Sequence, residues 1–156
     1  MKKLLYLLLL VPFALMTSCN KDDDFAPFDM TLTLSGVSQV DGTFYAVQGD
    51  EVSIDNLQVS SQEKQTAVAN VMFYVDGMPL FVTPWNVDQP LTFSTANLAP
   101  GTHNVNVSGN LLQVDQSIME FAVNYKLVVV DSQENLPSGA PATGTYSQTI
   151  NFTSSK

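Results

Sequence analysis

Arginine is absent from this chain, and cysteine, histidine and tryptophan each occur once. Six lysines stand against 15 acidic side chains, for a formal net charge of −9. Phosphate backbones are bound by basic patches that release counterions, so an acidic surface without arginine excludes nucleic acid as a partner. A single cysteine closes no internal disulfide, and one histidine with one cysteine cannot complete a tetrahedral zinc site. There is no Asp-x-Asp-x-Asp-Gly loop for calcium, no Gly-x-Ser-x-Gly elbow and no glycine-rich phosphate loop. The expectation is a protein that is not an enzyme and holds no metal or cofactor. A membrane-spanning run is missing too. Leu4 to Met16 is apolar for 13 residues (4 to 16), where a helix needs about 20 to cross the hydrocarbon core.

What is present begins with a basic Met1-Lys2-Lys3, that apolar run, and the small-residue site Thr17-Ser18-Cys19. This is the organisation of a signal peptide over residues 1–18, not of a helix in the mature fold. Leu15-Met16-Thr17-Ser18-Cys19 resembles the lipobox of bacterial lipoproteins, in which small residues precede a cysteine that is acylated and becomes the first residue after cleavage. The resemblance implies a thioether-linked lipid on Cys19 and makes the membrane the first partner. Two or three acyl chains, at ~0.8 kcal/mol per buried methylene, anchor a protein stably where one does not. Residues 19–28 then read as a solvated tether. Within it, Lys21 followed by Asp22, Asp23 and Asp24 resembles the export signal that carries lipoproteins to the cell surface in some Gram-negative groups. The expected location is therefore the outer membrane, lipid-anchored and facing outward.

From Asp29 onward no helical periodicity is sustained, and period-two alternation recurs between turn residues, the pattern of a sandwich or barrel. Met30, Leu32 and Leu34 alternate with threonines. Val52 and Ile54 share one parity while Leu57 and Val59 share the other, which predicts a bulge near Asp55-Asn56. Val71, Phe73 and Val75 precede Asp76-Gly77, a signal for a type I′ hairpin. Leu91 and Phe93, then His103, Val105 and Val107, then Phe121 to Val129 continue the alternation, and Thr145 to Phe152 offers a last strand. The segments Phe73-Tyr74-Val75-Asp76-Gly77 and Leu98-Ala99-Pro100-Gly101-Thr102-His103-Asn104-Val105-Asn106-Val107 resemble bacterial immunoglobulin-like domains, over roughly Met30 to Val130. That resemblance implies a single immunoglobulin-like β-sandwich spanning 29–156. The strand-C tryptophan and paired cysteines of antibody domains are missing, and the segment after Asp131 departs from the pattern.

Few side chains offer chemistry. His103 lacks any motif-marked nucleophile and reads as structural, bonding back to nearby backbone in the manner of a tyrosine corner. Trp85, in the Thr83-Pro84-Trp85-Asn86 segment, is a candidate ligand-binding residue because an exposed indole stacks on sugar rings. Its competing role is to cap the core. Tyr74 is a second candidate, since parity points it outward. Three functions follow: a non-catalytic interaction module with a protein partner, a glycan-binding lipoprotein, and an assembly subunit donating its C-terminal strand to a neighbour's sheet.

Overall fold

The computed structural model describes residues 25–83, 90–114 and 118–153, without the side chains of 81–83. Cys19, Lys21, Asp22, Asp23, Asp24 and Trp85 lie outside the described residues, as does the signal-peptide segment. The described chain is all β. Its strands are β1 (Phe28–Val40), β2 (Thr43–Val47), β3 (Glu51–Ser60), β4 (Thr66–Val75), β5 (Met78–Thr83), β6 (Leu91–Ser94), β7 (Gly101–Gln113), β8 (Met119–Val130) and β9 (Gly144–Phe152), with two short 3₁₀ turns.

The strands form a two-sheet sandwich. One sheet runs β9-β1-β3-β6, and the other β5-β4-β7-β8-β2, with β2 parallel to β8. β3 and β6 take the places of strands B and E, and β4, β7 and β8 those of C, F and G, in the order of immunoglobulin-like sandwiches. β9 is an addition along the free side of β1.

The last three residues of β1, Ser38 to Val40, pair with β2 in the opposite sheet. The first stretch, Asp29 to Ser35, pairs with both β3 and β9. One strand therefore belongs to both sheets, and the change happens at Gly36. Its φ is +77°, and a Cβ there would lie 2.2 Å from the carbonyl oxygen of Glu51. Gly36 has no partner on β9, whose register shifts between Ser35 and Val37. Only glycine tolerates both the left-handed backbone and that contact.

The bulge expected near Asp55 is present: Thr33 pairs with Asn56 and Leu34 with Ile54, leaving Asp55 unopposed. Ser35 Oγ donates to its carboxylate. The Asp76-Gly77 hairpin is also formed, with φ of 49° and 80°. A second hairpin of the same type joins β1 to β2 through Asp41 and Gly42 (φ 47° and 73°). Sequence reasoning overlooked it, although Asp-Gly ahead of Phe44 and Ala46 carries the same signal. Folding also begins earlier than Asp29. Phe28 stacks on Phe152 with ring centroids 4.6 Å apart, and buried Ala26 is bonded to Gln113.

Inward residues of both sheets meet in one core that includes Met30, Leu32, Leu34, Phe44, Ile54, Phe73, Leu111 and Tyr125. Tyr125 crosses that core. From β8 its hydroxyl donates to the carbonyl of Met30 on β1 at 3.2 Å, joining the sheets through the interior. Burial pushes the phenol far above its ordinary range, because a phenolate there would lose its hydration.

Replacing Gly36 by alanine combines left-handed strain with a backbone clash, so an expected loss of about 3 kcal/mol follows. Gly139 has a similar φ of +79° with nothing within 4 Å of a built Cβ, so Gly139→Ala should cost only about 1 kcal/mol. Urea unfolding of both variants checks the difference. Equal losses would show that the Glu51 contact does not matter.

Candidate functional site

The outward side chains of the β4-β7-β8 layer form three cross-strand rows. Tyr74 faces Asn106 and Asn124, Met72 faces Ser108 and Ala122, and Asn70 faces Asn110 and Glu120. Ser108 and Ala122 in the middle row are small, and beside Met72 the layer is hollowed into an open groove of about 460 Å³. Asn70, Met72, Ser108, Asn110, Glu120 and Ala122 line it, together with Gly109 and the edge of Phe121.

Gly109 is essential to that shape. It lies in the inward parity, and a Cβ on it would sit 2.1 Å from the carbonyl oxygen of Asn70. β4 bulges at this point, its register with β7 shifting between Val68 and Asn70. The bulge presses backbone into the space of a side chain, and Phe121, the cross-strand partner of Gly109, also borders the groove.

Two amides, Asn70 and Asn110, line the groove, and two more, Asn106 and Asn124, lie on the neighbouring Tyr74 row. Asn110 Nδ2 donates to Asn70 Oδ1 at 3.2 Å, and Asn106 Nδ2 donates to Asn124 Oδ1 at 3.1 Å. Each pair uses one polar end of each amide and leaves the other, such as Asn70 Nδ2 and Asn110 Oδ1, for an outside partner. Tyr74 is half-exposed on the neighbouring row, outside the groove lining, with its hydroxyl against Met72 Sδ at 3.3 Å. Its expected outward direction is therefore the observed one.

The outer face of the other sheet differs. Its hydroxyls bond to one another across β1 and β9: Thr31 with Thr149, Thr33 with Ser147 and Ser35 with Thr145, at 2.7–2.8 Å. That face spends its polar groups internally.

His103 lies at the far end of the sandwich from the chain's first described residues, beside the Asp76-Gly77 turn. Its Nε2 is 2.7 Å from the carbonyl of Ala99, four residues back, which is the backbone bond the sequence suggests. Its Nδ1 is 2.6 Å from Asp76 Oδ2, a partner the sequence did not reveal. Asp76 Oδ1 in turn accepts the backbone N–H of Asn104 at 2.9 Å. Both ring nitrogens face oxygen acceptors, so the ring fits its site best with a proton on each. Neither nitrogen is left to take a proton from a substrate. The missed signal was register, because pairing Val75 with Val105 sets Asp76 beside the residues around Asn104.

A Ser-x-x-Lys spacing, found in some acyl-enzyme nucleophiles, occurs at Ser61 to Lys64. There the hydroxyl donates to the carbonyl of Pro27 at 2.7 Å and accepts the N–H of Lys64 at 3.3 Å, so it caps a turn. Among the described residues, no three histidine, cysteine or acidic side chains stand together to hold a metal ion. No family model matches the chain, and no curated protein matches it in sequence.

The His103–Asp76 pair makes stability depend on pH. Burial alone would lower the His103 pKa, but the Asp76 hydrogen bond, the Ala99 carbonyl and the Asp76 charge together raise it above 6.5. The Asn104 N–H, then the His103 hydrogen bond, hold Asp76 below 3.8. A raised histidine stabilises fully below pH 6.5 and loses that effect as pH rises through the folded value. A depressed aspartate stabilises above pH 3.8 and loses its effect as pH falls through the folded value. The melting temperature should therefore be highest between these limits and fall towards pH 8. His103→Gln should melt lower at pH 5.5 and lack the alkaline decline, as a calorimetric pH series would show. An unchanged decline in that variant would assign it to other groups.

Proposed function

We propose that the chain is a lipid-anchored lipoprotein of the outer membrane, exposed at the cell surface, whose immunoglobulin-like sandwich is a non-catalytic binding module for carbohydrate. The groove across β4, β7 and β8 carries this reading. It is open, rimmed by amides with free donors and acceptors, and bordered by the half-exposed ring of Tyr74. Sugar hydroxyls both donate and accept, so side-chain amides match them at either end. An aromatic ring supplies the apolar contact that C–H faces of pyranoses need.

A protein partner is the weaker occupant of this face. Interface hot spots are rich in tryptophan, tyrosine and arginine. Of these, Tyr74 alone borders the groove among the described residues, and the chain has no arginine at all. The C-terminal strand is a poor donor for assembly, because β9 is paired along β1 of its own chain from Gly144 to Phe152. The anchor and export reading rests on the pattern at Leu15 to Cys19 and on Lys21 with its three aspartates.

A glycan array probed with residues 25–156 tests the ligand class, beside Ala122→Arg, Tyr74→Ala and Trp85→Ala variants. Ala122 is exposed at the centre of the groove, so arginine there should block it while leaving the fold intact. Binding should weaken about tenfold or more in Ala122→Arg, equivalent to about 1.4 kcal/mol. A folded domain that binds no glycan would leave the groove to another ligand. A ligand that is indifferent to Ala122→Arg would move the site elsewhere. Protease applied to intact cells tests the address separately, since a surface domain is cut and a periplasmic one is spared.

A further inference from the structure

Four large apolar side chains stand exposed among the described residues, and three of them crowd one end of the molecule: Leu112 at 42 %, Val114 at 50 % and Ile118 at 63 %. They flank the tip of the β7–β8 hairpin. The fourth, Met78, belongs to the Asp76-Gly77 hairpin at the opposite end.

The chain enters the fold beside the first three. Gln113, between Leu112 and Val114, is buried and grips the entering backbone in both directions. Its Oε1 accepts the N–H of Ala26 at 2.9 Å, and its Nε2 donates to the carbonyl of Ala26 at 3.0 Å. The same Nε2 reaches Thr66 Oγ1 at 3.1 Å, tying the grip to the start of β4. The entry point is thus fixed beside Leu112 and Val114.

The geometry points to a lipid bilayer as the occupant of this end: we propose that Leu112, Val114 and Ile118 form an apolar foot that rests on the membrane holding the anchor. The proposal rests on the lipid anchor at Cys19. From Cys19 to Ala26 is seven residues (26 − 19), which span at most about 25 Å when fully extended. β7 alone, at 13 residues, is about 44 Å long. A tether shorter than the domain keeps the Gln113 end close to the lipid whatever the domain's tilt. Exposed aliphatic side chains at that end then meet the interface at high effective concentration. Charge does not drive the contact, because a chain of net charge −9 is repelled by anionic lipid. The contact puts the Gln113 end towards the bilayer and His103 at the outer end, with the foot continuing the outward face of β7 and β8 beyond the groove.

The test uses the full chain, processed in a host that acylates lipoproteins and reconstituted in phosphatidylcholine vesicles with acyl-brominated phosphatidylcholine. In a Trp85→Phe background, Ile118→Trp and Met78→Trp each place one indole at one end, both at exposed positions. Brominated lipid should quench about half of the Ile118→Trp emission, as expected for side chains seated in the interface. It should leave Met78→Trp bright. Undiminished Ile118→Trp emission on vesicle-bound protein overturns the foot and leaves these three side chains to a protein partner. Equal quenching of both indoles also overturns it, because the domain then lies on its side. Mass spectrometry of the N-terminal peptide reads the anchor on its own. If Cys19 is unmodified the anchor reading fails, and coupling its thiol to a maleimide phospholipid restores the tether. Quenching of Ile118→Trp under that coupling supports the foot, and brightness overturns it.

Discussion

Met30, Leu32 and Leu34 fill the inner face of one sheet while Ser38 to Val40 pair in the other, and both are possible only because the chain bends at Gly36. The bend sets where β2 lies, and β2 in turn extends the second sheet by lying parallel to β8. Tyr125 on that same β8 then reaches back across the core to Met30. β1 thus joins the two sheets as a single strand shared between them, and Tyr125 adds a buried hydrogen bond across the core. Close packing makes such a junction intolerant of even one added methyl group. The tight approach of Glu51 to Gly36 has that character.

The groove depends on a second close approach, at Gly109. Backbone from the β4 bulge occupies the position of a side chain, so the space beneath Gly109 is filled by the main chain of Asn70. The outward consequence is a row of Ser108 and Ala122 between rows of amides. A concavity on a β-sheet needs small residues in register on adjacent strands. Register is set by the hairpins and bulges on either side of it. The site is thus a product of strand alignment more than of any single side chain.

That dependence explains what could be read from the chain alone. Alternation in β1, β3, β7 and β8, the bulge at Asp55 and the Asp76-Gly77 turn are local signals, and they were legible. So was the outward direction of Tyr74, which follows from parity with Phe73 and Val75. The change of sheet at Gly36 was not legible, because it needs Glu51 to be opposite. The Asp76–His103 bond spans 27 positions, and neither residue carries a motif that names the other. Ser108, Ala122 and Asn110 look like ordinary surface residues until register lines them up with Met72, Glu120 and Asn70. Asp41-Gly42 is the exception, since its local signal was present and was passed over.

The two ends of the sandwich differ in chemistry in a way that bears on the proposed role. One end gathers the entering chain, the Gln113 grip and three exposed aliphatic side chains. The other carries the Asp76-His103 pair and no comparable apolar cluster among its described residues. Single saccharide sites made of a few amides and one aromatic ring bind weakly, since each polar contact mostly replaces one with water. On the proposed reading, lipid anchoring in one orientation would offset that weakness. Many copies so anchored would present their grooves at the same height, and a long glycan engaging several would dissociate only when all release. Orientation is what turns density into avidity, because copies that tumble freely on their tethers seldom face one strand together.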